Sequence, residues 1–199
     1  MSSRFNVVLM MSTLLLAAAC SPSSDLKPVL DAQGTYSLET RTGIEEIDNV
    51  IEAVATGERE GLESVIKYTT APCTTAEGFG GPPKCRPGET EGTPVDGLPF
   101  IGSEGGFIRK DGISNWTGVD AEAIFAVYRV AEEGVNEQYY PRGAYAVVFL
   151  TQDVQSALTL RIADGGIVRV DYPLNESLQD LRQLVEQDAS EVILISDIR

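Results

Sequence analysis

The chain has no histidine, only three cysteines and a single tryptophan among its 199 residues. Without histidine there is no Ser-His-Asp triad, no imidazole general base and none of the commonest zinc ligand sets. Cations are scarce as well: 15 Lys and Arg stand against 30 Asp and Glu, a formal net charge of -15. Such a surface repels phosphates and acidic head groups, so nucleic acid is not an expected partner. The acidity is spread along the chain rather than gathered in a tail, a pattern that serves solubility. No internal repeat is evident.

What the chain does have, at its start, is an export pattern. Arg4 supplies a positive charge, residues 5–16 form an apolar run broken only by Asn6, Ser12 and Thr13, and Ala17, Ala18 and Ala19 lead to Cys20. A charged start, a short apolar run and a small-residue exit describe a secretory signal rather than a membrane span. The ending Leu16-Ala17-Ala18-Ala19-Cys20-Ser21 resembles the lipobox of bacterial lipoproteins. That resemblance implies cleavage before Cys20, lipidation of Cys20, and a domain held outside the cytoplasm on the bacterial cell envelope. The anchor would sit at the outer membrane or on the outer face of the plasma membrane. Attachment would come from acyl chains, at about 0.8 kcal/mol per buried methylene, and not from a basic patch. An ordinary signal peptide cut near Ala19, leaving Cys20 a thiol, is the other reading. The expected organisation is a signal peptide over 1–19, a lipidated cysteine and flexible tether over 20–35, and one α+β domain over 36–199.

The remaining cysteines, Cys73 and Cys85, stand twelve positions apart. They match neither C-x-x-C redox spacing nor a four-ligand metal site, and on an exported chain the expectation is a disulfide. Closing a loop of this size stabilises by roughly 3 kcal/mol in the chain-entropy model. An unbridged or metal-binding pair is the alternative. The glycines and Lys84 of Gly78-Phe79-Gly80-Gly81-Pro82-Pro83-Lys84 invite a phosphate-loop reading. It fails, because Pro82 and Pro83 remove two backbone donors and Cys85 stands where the P-loop needs Ser or Thr. No metal site and no cofactor are expected.

Periodicity predicts a helical hairpin first. Ile44, Ile47, Ile51 and Val54 share one face, Thr42 and Glu45 have capping-box spacing, and Gly57 suits the helix end. A second helix is expected over about 58–68, with Leu62, Val65 and Ile66 inward. Residues 72–118 hold six of the ten prolines and eleven of the nineteen glycines, so this stretch reads as an irregular insert with at most small strands near 98–101 and 107–108. Strands follow at 122–130, 144–152, 156–164 and 167–173, although the first is also acceptable as an amphipathic helix. A three-residue loop at 164–166 would pair Ile162 with Val168, Leu160 with Val170 and Leu158 with Tyr172, leaving one face wholly apolar. Ser177 and Asp180 cap a helix whose buried stripe is Leu178, Leu181, Leu184 and Val185, and a strand whose run 192–195 suits burial on both faces ends the chain. The expected fold is α+β: an N-terminal helical hairpin packed on a curved antiparallel sheet, with a disulfide-pinned Gly/Pro-rich insert and a C-terminal helix and strand.

The pattern Ile47-Asp48-Asn49-Val50-Ile51 through Ile66, then long antiparallel strands ending Gly165-Gly166-Ile167-Val168-Arg169-Val170-Asp171-Tyr172-Pro173, resembles the NTF2-like cone-shaped α+β fold. Residues 68–100 are also similar to a segment of an uncharacterised family of secreted bacterial proteins, a likeness that implies no activity.

Candidate site residues follow. In the expected register Arg161 and Arg169 face each other on the non-core side of the sheet, and two like charges in register need a partner. Nearby carboxylates such as Asp171 are one answer; an anion or ligand site is the other. Trp116, Tyr139 and Tyr140 could line a ligand surface or serve domain packing. Asp96, Glu104, Asp111 and Asp120, in or beside the glycine-rich stretch, are the weak candidates for paired-carboxylate hydrolysis, although nearby acidic pairs are expected by chance in so acidic a chain. The reading is a lipid-anchored, non-catalytic envelope protein that binds a protein or small-molecule ligand. An exported hydrolase with paired carboxylates, or a purely structural envelope protein, are the alternatives.

Overall fold

The computed structural model describes residues 28, 30–31, 33–78, 80–132, 138–151, 156–172 and 177–198. The signal-like stretch and Cys20 lie outside the described residues. The chain joins the domain at Asp31, within the stretch expected as a tether. Its carboxylate accepts from the Gln33 and Thr35 amides at 2.9 and 2.8 Å, and Tyr36 bridges to Ile124.

Helix α1 (Glu45–Thr56) buries Ile47, Val50, Ile51 and Val54, the expected stripe, and ends on Gly57 in the left-handed region at φ 63°. Its start is not the expected Thr42–Glu45 box. Ile44 occupies the cap position and has no side-chain acceptor, so Asp48 reaches back from the helix and accepts from the Thr42 and Gly43 amides at 2.7 and 3.0 Å. Helix α2 (Arg59–Ser64) is shorter than expected. The chain leaves it to run beside Ile167, with the Lys67 amide donating to Ile167 O at 2.8 Å and the Ile167 amide to Val65 O at 2.7 Å. Gly166 permits that approach, since a Cβ there would lie 2.4 Å from Val65 O.

The strands are β1 (Thr69–Pro72), β2 (Pro94–Ile101), β3 (Gly105–Arg109), β4 (Ala121–Val130), β5 (Tyr145–Thr151), β6 (Ala157–Ala163), β7 (Gly166–Asp171) and β8 (Ala189–Ile195), with α3 (Leu178–Asp188) before β8. They form one sheet in the order β1-β2-β7-β6-β5-β4-β8, with β3 also paired to β2. This corrects the expected curved, wholly antiparallel sheet. The sheet is open and mixed, because β2 runs parallel to β7 through Phe100–Val170 and Ile101–Asp171. The small strands expected near 98–101 and 107–108 lie within β2 and β3, but residues 72–118 are more regular than expected, with longer strands there and a 3-10 helix, Lys110–Asn115. Prolines 94 and 99 fit there because β2 is bonded over only part of each edge, to β1 and β7 on one side and β3 on the other.

The β6–β7 turn is shorter than expected. Asp164 and Gly165, at φ 50° and 71°, make a two-residue turn between Ala163 and Gly166. A bulge compensates: Ile162 pairs with Ile167, the extra residue is Val168, and the ladder resumes at Arg161–Arg169 and Leu160–Val170. The bulge therefore restores the face assignment that a longer loop would have given.

Strand β4 is a strand and not a helix, flanked by β5 and β8. Its residues, like those of β5, divide between two cores. Ile124, Val127, Val147 and Phe149 meet α1 and α2 on one face, while Phe125, Tyr128, Val148 and Leu150 meet Leu181 and Val185 of α3 on the other. Helix α3 carries the expected Ser177–Asp180 capping box. Two expectations of burial fail. Leu184 of α3 is 43% exposed, and Val192 is 44% exposed because β8 is an edge strand that α3 does not cover. Among the described residues, no helix is long and apolar enough to cross a membrane.

Candidate functional site

Strands β6 and β7 place Arg161 and Arg169 side by side on the face that α3 partly roofs. Their repulsion is met by Asp171, two residues along β7 from Arg169 and therefore on the same face. Its carboxylate accepts from Arg161 Nε at 2.7 Å and from Arg169 Nε and Nη2 at 2.7 and 2.9 Å. Arg169 Nη1 donates to Tyr140 O at 3.2 Å. Asp188 closes the network from the last turn of α3. It accepts from Arg161 Nη1, from Arg142 Nη2 at 2.7 Å and from the Tyr128 hydroxyl at 3.0 Å.

A carboxylate at a helix C-terminus opposes the helix dipole, and α3 has no basic residue in its last turn. Burial alone would raise the Asp188 carboxyl. The charge and hydrogen bond of Arg161, with Tyr128 and Arg142, bring it below the usual carboxylate range instead. Burial pushes the Tyr128 phenol well above its ordinary value, so it stays a donor.

Above this network lies a cleft of about 470 Å³ between α3 and the ends of β2 and β7. Its floor includes Thr159, Arg161 and Asp171; its sides include Leu181, Leu184 and Tyr172. Three large hydrophobic side chains are exposed among the described residues, Tyr172, Leu184 and Val192. The first two share this cleft.

The aromatic candidates are placed elsewhere or only touch the rim. Trp116 donates from Nε1 to the Tyr172 hydroxyl at 3.0 Å and packs against the α1 core. Tyr140 is buried, donates to Gly81 O at 2.9 Å and packs against Phe107, the rings tilted at 53° with centroids 5.4 Å apart. Tyr139 is half-buried beside it.

A second, broader concavity of about 830 Å³ follows the segment held by the Cys73–Cys85 disulfide, and its lining includes Pro82, Lys84, Phe100, Glu104, Phe107 and Arg109. Its rings lie over glycines: a Cβ on Gly106 would stand 2.5 Å from the Phe100 ring. Its arginines are committed, Arg109 to Glu89 at 2.8 and 2.6 Å and Arg86 to Asp111. Metal-ligand donors come closest here, with the donor atoms of Cys73, Cys85 and Glu89 within 4.8 Å of one another. The two sulfurs are bonded to each other, however, and offer no thiolate.

Of the four weak catalytic candidates, Glu104 alone lines either concavity. Asp96 accepts from Thr70 Oγ1 at 2.5 Å on the β1–β2 ladder, Asp111 is bound to Arg86, and Asp120 is exposed before β4. Reading by residue type missed Asp188, Tyr128, Thr159 and Leu184. One signal was present, an aspartate closing a helix whose last turn lacks any cation.

No protein-family model, curated protein or solved structure matches this chain.

Proposed function

We propose that this chain is a lipid-anchored, non-catalytic bacterial cell-envelope protein whose domain binds a small ligand in the cleft beneath α3. The anchor rests on the stretch ending Leu16-Ala17-Ala18-Ala19-Cys20, and the disulfide is in keeping with an oxidising compartment. The likeness to NTF2-like domains is kept as a kinship of pattern and adds nothing to the activity. The binding reading is carried by one observation: Leu184 and Tyr172 stay exposed along a single cleft with a polar floor, the composition of a ligand site. The non-catalytic reading is supported by the state of the cleft's carboxylates. Asp171 and Asp188 are both ion-paired to Arg161, so their oxygens are engaged within the protein rather than free to act on a substrate.

Two measurements test this. The intact mass of the native protein should show an acylated N-terminal Cys20, and Cys20→Ala should move the protein from the detergent phase to the aqueous phase. A native mass without acyl groups rejects the anchor. The uncharged fluorescent probe N-phenyl-1-naphthylamine should bind the soluble domain, and Leu184→Glu should weaken it at least about tenfold, the loss expected from burying a charge in place of an apolar contact. Leu184 is exposed, so the variant keeps the fold. A probe that ignores Leu184→Glu, or does not bind, rejects the cleft as the site.

A further inference from the structure

We infer that the cleft selects an uncharged amphiphile, an apolar chain bearing a hydrogen-bond acceptor such as an amide or ester carbonyl. The inference rests on the binding reading above and concerns the chemistry of the ligand's head.

The floor supplies open donors, and its carboxylates are already engaged. Arg161 spends Nε on Asp171 and Nη1 on Asp188, while its Nη2 has no partner among the described residues. The only buried side-chain nitrogen or oxygen left unpaired among those residues is Glu63 Oε1. Arg161 Nη2 is therefore open to the cleft that it lines. The same reasoning applies to Thr159, which is only 8% exposed, lines the cleft and has no hydrogen-bonding partner for its hydroxyl among the described residues. Thr159 and Arg161 are two positions apart on β6, so both groups point from one face. The acceptor side is spent. Asp171 takes three bonds from Arg161 and Arg169, and Asp188 takes bonds from Arg161, Arg142 and Tyr128.

Charge then selects among heads. Of the charged groups that line the cleft, Arg161 and Arg169 stand against Asp171 and Asp188, and Arg142, outside the lining, shares Asp188. An anionic head would approach two half-buried carboxylates in a chain of net charge -15. A cationic head would face the guanidinium groups of Arg161 and Arg169 and find both carboxylates already ion-paired. An uncharged carbonyl accepts from Arg161 Nη2 and Thr159 Oγ1 at neither cost, with the tail along Leu181, Leu184 and Tyr172.

The test is displacement of bound N-phenyl-1-naphthylamine by three ten-carbon amphiphiles: N-methyldecanamide, decanoate and decylammonium. The amide should displace the probe at a concentration at least about tenfold lower than either ion. Thr159→Val, which keeps the shape and removes the hydroxyl, should raise the amide's value about fivefold, the size of one hydrogen bond, and leave the two ions unchanged. Decanoate or decylammonium competing as well as the amide overturns the inference, and so does an amide insensitive to Thr159→Val. In both cases a probe that still responds to Leu184→Glu shows that the cleft binds apolar chains and that only the head-group assignment has failed.

Discussion

Glu89 shows how much one side chain can fix. It accepts from Arg109 Nη1 and Nη2 and from the Arg86 amide at 2.7 Å, and these bonds, with Arg109's first, hold its carboxyl at about 2 against an ordinary 4.5. A carboxylate whose folded value is depressed stabilises fully above its unfolded value and loses that contribution as pH falls toward the folded one. The difference in thermal midpoint between the protein and Glu89→Gln should therefore be constant above about pH 4.5 and shrink as pH approaches 2. A constant difference down to pH 2 would count against the pairing. At this scale the sequence was legible where periodicity acts. Alternation along β6 and β7 set Arg161 against Arg169 and pointed to Asp171 as a partner. The partners of Asp188 were not legible, because they come from β4, β6 and the loop before β5, and no local pattern brings a helix end to that spot.

Among the elements, α3 carries the cleft and depends on its start. Ser177 accepts from the Asp180 amide at 3.3 Å while Asp180 accepts from the Ser177 amide at 3.0 Å. Ser177→Ala should cost about 1 kcal/mol in chemical denaturation. Because α3 roofs the cleft, N-phenyl-1-naphthylamine binding should weaken in the same variant; unchanged stability would deny the cap its role. Elements with their own periodicity were legible: α1, α3 and the β4–β7 strands. The turn between β6 and β7 was misjudged in length yet not in consequence, since a bulge at Val168 preserved the faces. Only the end of β2, residues 98–101, was legible; its first half was hidden because Pro94 and Gly97 contradict strand propensity, and pairing with β1 makes it a strand.

For the whole molecule, the Cys73–Cys85 bridge and the mixed sheet act together. Cys73 is buried at the end of β1, and Cys85 lines the broad concavity. Replacing both by serine should lower stability by roughly 3 kcal/mol, read as the urea midpoint of the soluble domain. Backbone bonds also tie this segment, the Thr74 amide to Pro83 O at 2.9 Å and the Cys85 amide to Thr74 O at 3.0 Å. The double variant should accordingly keep its far-ultraviolet spectrum; a collapsed spectrum would mean that the bridge directs folding rather than adding to stability. The bridge was legible because Cys73 and Cys85 had only each other to pair with, whereas the sheet's order was not, because a parallel seam is set by partners far apart in the chain.

That seam has a consequence for the order of events during folding. Phe100 and Ile101 find Val170 and Asp171 only after most of the chain has emerged. Until β7 arrives β2 can pair only with β1 and β3, and the end of one edge, at Phe100 and Ile101, stays open. The open edge is the vulnerable interval in this protein's life, and the glycine-rich, proline-broken sequence of β2 and β3 is suited to passing through it without pairing with another chain.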